Sequence, residues 1–242
     1  MTTNIVSKDT VKRLISDIKE LSLNQFSKEG IYYKHDEENM LFGYALIIGQ
    51  SDTPYAYGNF LFKFEFPYNY PHAPPHVTYH TNDGYTRFNP NLYKNGKVCI
   101  SLLNTWKGEQ WTSCQTIRTI LIVLSSLLNS KPLINEPGIT EFHHDIENYN
   151  NIIKYRTLDT AICKIVNGRF LSKEFEIFKE EINDNFLYNY DKIKCNIPNS
   201  ELRKHTEYIS CGIYNLTVRT QYNKLEKELE KQYISISNLK LN

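Results

Sequence analysis

Asn89-Pro90-Asn91-Leu92-Tyr93-Lys94-Asn95-Gly96-Lys97-Val98-Cys99-Ile100-Ser101 joins strand-like sequence on its N-terminal side to a strongly apolar helical segment beyond it. Asn, Pro and Gly are turn formers, so Asn89, Pro90, Asn91 and Gly96 argue for an irregular loop. Cys99 follows eight residues after Asn91, with no histidine inside the stretch. A thiol beside an amide donor and without a base suits a cysteine that receives and passes on an acyl group. It suits unaided amide hydrolysis poorly.

Strands precede this loop. Leu41 to Gly49 is a continuous apolar run, as expected of a well-buried strand. Phe60, Phe62, Phe64 and Phe66 alternate with Leu61, Lys63 and Glu65, the period of two that a strand imposes. Val77 to Tyr79 gives a further short strand. The prolines of Tyr70-Pro71-His72-Ala73-Pro74-Pro75 remove backbone donors and predict a rigid extended connection.

Helices flank the strands. Ser7 is placed to cap a first helix, in which Val11, Leu14, Ile15, Ile18 and Leu21 recur at helical spacing. Lys8, Lys12, Arg13 and Lys19 give it a basic polar face, which is ordinary for a surface helix. Beyond the cysteine, Thr116 to Leu128 carries Ile117, Ile120, Leu121, Leu124, Leu127 and Leu128, a helix apolar enough to be buried against the sheet. It stops at Asn129-Ser130-Lys131-Pro132, and Asn135-Glu136-Pro137-Gly138 makes a second break.

From Glu141 the chain is expected to be almost wholly helical: Asp145 to Val166, Ser172 to Tyr190 and Leu216 to Tyr233. In the last of these, Tyr222, Leu225, Leu229 and Tyr233 form a stripe that should pack on its own domain. Asn196 to Glu201, with Pro198, is expected to hinge two helices. Strands first and helices after them give an α+β core with a helical C-terminal extension.

The 242 residues allow one ordinary domain plus an extension. A formal charge of +1 gives no electrostatic case for nucleic acid or an anionic membrane as partner. The longest aliphatic run, Ile120 to Leu124, is too short to cross a bilayer. Residues 1 to 30 lack a signal-peptide layout, and five scattered cysteines fit free thiols in a reducing compartment. A cytoplasmic or nuclear location is the expectation.

Three residues stand out chemically. Cys99 is a candidate nucleophile because a side chain after a turn-rich loop can reach a surface groove, although free cysteines are commonly buried packing residues. Cys114, Cys163, Cys195 and Cys211 lack that setting and are expected to pack. The Asn91 amide could donate to an oxyanion formed at Cys99, or simply close its own turn. Glu136 could hold or partly neutralise an incoming lysine, or be an ordinary loop glutamate.

Other chemistries find little support. There is no Cys-x-x-Cys zinc spacing and no phosphate-cradling glycine pattern. The adjacent His143 and His144 would diverge by about 100° on a helix and make a poor metal pair. His72 and His76 flank two prolines. No metal and no cofactor are expected. A papain-like Cys–His pair could form only in space, and no such local signature surrounds Cys99.

The chain resembles ubiquitin-conjugating (E2) enzymes from about Lys8 to Tyr155. Carrying the resemblance are Tyr70-Pro71-x-x-Pro74-Pro75, the Pro90-Asn91 pair, the step to Cys99, and Trp111 leading into the buried helix. Arg87 to Tyr93, Cys99-Ile100-Ser101-Leu102-Leu103-Asn104-Thr105-Trp106 and Asn135-Glu136-Pro137-Gly138 resemble the large Z-type members in particular.

The resemblance implies a UBC fold over residues 7–155, with an N-terminal helix, a four-stranded antiparallel meander and a buried central helix, and a helical extension over 156–242. It implies that Cys99 takes ubiquitin or a ubiquitin-like protein from an E1 activating enzyme as a thioester. Asn91 would serve the oxyanion and its loop, and Glu136 would be the acidic gate beside the lysine of a protein substrate. Lys12 and Arg13 would face E1, with the alternative ubiquitin-activating E1 hinted by the Z-type likeness. The motif's usual histidine is Asn89, a mark of the larger members.

At the family's E3 ligase contacts stand His72 and Thr112-Ser113-Cys114, so ordinary E3 partnering is not implied. Lys107-Gly108-Glu109-Gln110 is inserted beside the cysteine. The rival expectations are a catalytically inactive E2-like module that binds ubiquitin or an E3, and a cysteine hydrolase.

Overall fold

The computed structural model describes residues 6–23, 26–199 and 208–241. Helix α1 (Lys8–Leu23) starts where expected: the Ser7 hydroxyl accepts the Thr10 N–H at 3.0 Å, a side-chain cap for an otherwise unpaired donor. Leu14 is fully buried, and Val11, Ile18 and Leu21 flank it. Ile15 is 57% exposed, because it falls at the solvent edge of the 11-14-18-21 stripe, beyond Val11.

Four strands follow, β1 (Ile31–His35), β2 (Phe42–Ile48), β3 (Asn59–Glu65) and β4 (His76–Tyr79), in an antiparallel meander of that order. Strand β1 has no clean alternation, and the sequence did not mark it. Its pairing sets Tyr33 opposite Ala45, and Leu46 in turn faces Leu61. Phe60, Phe62 and Phe64 enter the main core with Tyr55, Phe88 and helix α2 (Ile117–Leu127). Thr116 caps α2 through the Thr119 N–H, and Ile117, Ile120, Leu121 and Leu124 are buried.

The other sheet face is buried too. Tyr44, Leu46 and Leu61 pack on Ile165, Phe175, Phe178 and Ile182 of the C-terminal region, so Leu61 is sealed rather than solvent-facing. The proline stretch is also not extended as expected. Tyr70 N–H bonds to Pro67 O at 3.0 Å and His72 N–H to Asn69 O at 2.8 Å, with a cis Tyr70–Pro71 peptide, so it is a compact turn.

Helix α3 (Asp145–Arg156) runs on without a break into a π-helical stretch (Thr157–Lys164), so residue 155/156 falls inside one continuous helix. After it come α4 (Lys179–Tyr188), α5 (Tyr190–Cys195), a hairpin of β5 (Tyr208–Cys211) with β6 (Leu216–Arg219), and α6 (Tyr222–Leu241). The hairpin corrects an expectation of helix from Leu216. Leu216 and Val218 are buried and Thr217 and Arg219 exposed, a period of two with a β-branched pair at its centre.

Helix α6 lays Leu225 and Leu229 on the main core, and Tyr233 stacks on Tyr190 at 3.9 Å, as its stripe predicted. At the expected hinge, Asn196 closes α5 and Ile197 is buried; Ser200 and Glu201 lie outside the described residues. All five cysteines are free thiols. Cys163 and Cys211 pack inside, whereas Cys114 and Cys195 are exposed, against the expectation, because each sits where a loop or a helix end leaves the core.

Candidate active site

The Asn89-Pro90-Asn91 turn is a hub. Asn89 is fully buried, and its amide nitrogen donates to Leu127 O at 2.7 Å and to the Tyr55 hydroxyl at 3.1 Å. The Leu127 carbonyl ends α2 and would otherwise lack a partner. Asn89 Oδ1 accepts the Asn91 N–H at 2.9 Å and the Asn135 amide at 3.4 Å. One side chain thus joins the turn, the central helix and the loop that carries Glu136.

Asn91 and Cys99 bond in both directions. The Cys99 N–H donates to Asn91 O at 2.9 Å, and Asn91 Nδ2 donates to Cys99 O at 2.6 Å. Gly96, at φ 87°, makes the return possible; a Cβ there would stand 3.0 Å from Tyr79 O. Cys99 is only 2% exposed, so the expected solvent-open thiol is not what the structure has. It belongs to neither apolar cluster, however. The Asn91 amide points at the cysteine's carbonyl oxygen, not along a path to an acyl group on sulfur. Ser101–Leu103 makes a single 3-10 turn, and the inserted residues Lys107 to Gln110 are exposed in the loop beyond it.

Glu136 caps the 3-10 turn Pro132–Asn135 through its N–H to Leu133 O at 3.0 Å. Its carboxylate is not idle. Oε2 accepts the Tyr214 hydroxyl at 2.5 Å and lies 3.7 Å from an Arg87 nitrogen. Arg87 is held between the rings of Tyr93 and Tyr214, at 3.8 and 4.6 Å, and donates to Pro90 O at 2.5 Å. Burial and the Glu136 carboxylate push the Tyr214 hydroxyl well above its ordinary pKa. No local pattern singles out Arg87's stacking or Tyr214, because the two lie far apart in the chain.

The other candidates gather at a second place. His72 and Ser113 are exposed, and Trp111 Nε1 donates to Pro71 O at 2.7 Å, bringing their two loops together. Arg13 reaches the same loop: Nη1 donates to Ser113 O at 2.6 Å and Nη2 to Gln115 O, while Nε bonds Asp17 at 2.7 Å. Its guanidinium is therefore engaged within the fold, and Lys12 is the exposed charge of the pair. Buried Asp17 also accepts the Tyr70 hydroxyl and faces the first amide of α2, a tie that the sequence did not reveal.

His143, His144 and Asp145 do come together, contrary to the helical argument against them. The two histidines precede α3, so helical divergence does not apply, and their rings stack at 4.3 Å. Both oxygens of Asp145 already accept backbone N–H groups, from Gly212 at 3.2 Å and Ile213 at 3.1 Å, and His143 Nδ1 accepts the Asp145 N–H. Such a set is a hairpin anchor first and a poor metal cage.

An N-terminal helix, a four-stranded antiparallel meander and a buried central helix are the architecture of the ubiquitin-conjugating fold. A model of the family described as ubiquitin-conjugating enzyme matches residues 13–157, and the chain belongs to that family. Within it the chain stands close to the Z-type members. It is 40% identical to ubiquitin-conjugating enzyme E2 Z of Xenopus tropicalis over 67% of this chain and 52% of that one. To the protein of the same name from Danio rerio it is 38% identical, over 76% of this chain and 56% of the relative. It is 43% identical over 71% of its length to 4% of human BIRC6, a dual E2 ubiquitin-conjugating enzyme/E3 ubiquitin-protein ligase. The chain thus spans about half the length of the E2 Z relatives.

Proposed function

We propose that the protein is an acyl carrier that accepts ubiquitin or a ubiquitin-like protein from an E1 enzyme on Cys99 and passes it to lysine. The observation that carries this is the two-way bond between Asn91 and Cys99, with the loop that carries Glu136 tied to the same turn through Asn135. Charging exchanges one thioester for another. The Cys99 thiolate attacks the E1-bound carbonyl carbon, a C–S bond forms, and the E1 sulfur leaves with the electron pair.

Because the two thioesters are alike, the exchange is close to isoenergetic and needs access more than activation. In the second step a neutral lysine nitrogen attacks the carbonyl. A C–N bond forms, the C–S bond breaks, and the amine's proton is released as Cys99 leaves as thiolate. Glu136 draws in the lysine as its ammonium, which gives a proton to solvent before the nitrogen attacks, and the Asn91 amide must release Cys99 O to reach the oxyanion.

E1 would meet the α1 face that carries Lys12, and an E3 the end formed by His72 and Ser113. The covered thiol must be exposed when a partner docks. That cover also favours a second reading, an inactive module that binds ubiquitin or an E3. One experiment separates them: incubation with each purified E1, ATP and ubiquitin or a ubiquitin-like protein, followed by non-reducing electrophoresis. A thiol-sensitive adduct lost in Cys99→Ala is expected; no adduct with any E1 would favour the inactive module.

A further inference from the structure

The hairpin that follows the family-matched region reaches back to the acceptor side of the site. Its turn is anchored by the Gly212 and Ile213 amides on Asp145, and Tyr214 projects from it against Tyr149, whose hydroxyl donates to Arg87 O at 2.7 Å. Tyr214 covers one face of the Arg87 guanidinium and gives its own hydrogen to Glu136 Oε2.

The two oxygens of Glu136 are therefore unlike. Oε2 is held by Tyr214 and faced by Arg87, whereas among the described residues no donor bonds Oε1. The side chain remains 26% exposed, enough for a ligand to reach it. A glutamate with three free torsions loses rotamer freedom when it binds a partner; one already pinned through a single oxygen does not lose it again.

We infer that Tyr214, with Arg87, is a positioning residue that holds Glu136 so that Oε1 meets the incoming lysine, making the C-terminal hairpin part of the acceptor site. The inference rests on Cys99 being the acyl carrier and extends that assignment to a segment outside residues 13–157. Arg87 faces the same oxygen, Oε2, and so helps to orient Glu136 without competing for Oε1.

The test uses the full chain, charged with fluorescent ubiquitin on Cys99 and chased, after E1 is quenched, with free lysine or with 2-mercaptoethanol. Tyr214→Phe keeps the ring and removes the hydroxyl. It is expected to raise the half-saturating lysine concentration about five- to tenfold, the worth of one charge-assisted hydrogen bond. Discharge to the thiol, which needs no amine site, is expected to stay at the wild-type rate.

Glu136→Gln should show the same amine-selective loss, and adding Tyr214→Phe to it should change nothing further, because the tyrosine acts through the carboxylate. Arg87→Lys, which keeps the charge but loses the stacking, supplies a second variant should Tyr214→Phe fold poorly, and the same amine-selective loss is expected. Wild-type lysine dependence in Tyr214→Phe, equal slowing with the thiol, or full additivity with Glu136→Gln would each overturn the inference. Failure of the wild-type chain to charge would instead remove the carrier assignment, and the inference with it.

Discussion

Asn91 Nδ2 donates to Cys99 O at 2.6 Å while Cys99 N–H donates to Asn91 O at 2.9 Å. The second bond is backbone only; the first depends on the asparagine's amide carrying hydrogen. Asn91→Ala removes one neutral hydrogen bond, for a loss of about 1 kcal/mol. Asn91→Asp is nearly the same size, yet it sets a carboxylate oxygen against the Cys99 carbonyl with no proton between them. The expected order of melting temperatures is wild type, then Ala, then Asp, measured by thermal unfolding. An Asp variant as stable as wild type would mean that the amide does not hold this loop.

Asn89 should matter more. It satisfies the Asn91 N–H, the Leu127 carbonyl and the Tyr55 hydroxyl from a fully buried position. Asn89→Ala leaves the Asn91 N–H and the Leu127 carbonyl without this partner, each at a desolvation cost of roughly 1–3 kcal/mol, while the Tyr55 hydroxyl still donates to Phe88 O. Urea denaturation is expected to show a loss of about 2–4 kcal/mol, larger than for Asn91→Ala.

The five thiols should react in order of their cover. Cys114 and Cys195 are exposed, Cys99 is covered but outside the apolar clusters, and Cys163 and Cys211 are buried. Burial pushes the Cys163 thiol up to about 12, with Gln232 opposing the shift, and also raises Cys211. Since the thiolate is the reactive form, an aromatic disulfide reagent at mild alkaline pH should show two fast thiols, one slow thiol, and two released only on unfolding. Three fast thiols would mean that Cys99 is open in solution.

Much of the core was legible because its signals are local. Phe60, Phe62 and Phe64 alternate within one strand, the stripe from Ile117 to Leu124 lies on one helix, and Asn89, Pro90, Asn91 and Cys99 fall within eleven residues. What escaped is long-range. Leu61 reads as solvent-facing until Phe175 and Phe178 arrive from more than a hundred residues away, and Tyr214 meets Glu136 across 78 positions. The β5–β6 hairpin was missed because its four-residue strands, Tyr208–Cys211 and Leu216–Arg219, are too short for periodicity to outweigh the helical pattern that follows.

Two histidines should make the fold acid-sensitive. Burial holds His35 and His80 below the ordinary histidine pKa, against opposing pulls from Met40 O and Asp36 on the first and Glu174 on the second. His35 is satisfied as a neutral ring, between the Tyr33 hydroxyl and Met40 O, both at 2.8 Å. A folded pKa below the unfolded value means that the unfolded chain takes up protons first. Stability should therefore begin to fall at about pH 6.5 and keep falling until the pH drops past the folded values. Urea midpoints at several pH values check this, and substituting both histidines by Gln should flatten the slope.

The hairpin's attachment has the opposite kind of titration. Burial tends to raise Asp145, but the Gly212 and Ile213 N–H groups, helped by His144 and His143, outweigh it and hold the carboxyl below its ordinary pKa. An acid held down in the fold contributes stability above the ordinary aspartate pKa of about 3.9 and loses it as the pH falls through the folded value. Between neutral pH and pH 5 the anchor is thus intact. Asp145→Ala removes it at every pH, leaving two N–H groups without their charged acceptor. Hydrogen exchange at neutral pH should then show lost protection at Gly212 and Ile213, spreading to the loop around Glu136 through the Tyr214 contact. Loosening confined to the Gly212 and Ile213 amides, with the Glu136 loop as protected as in wild type, would show that the hairpin and the Glu136 loop are held independently.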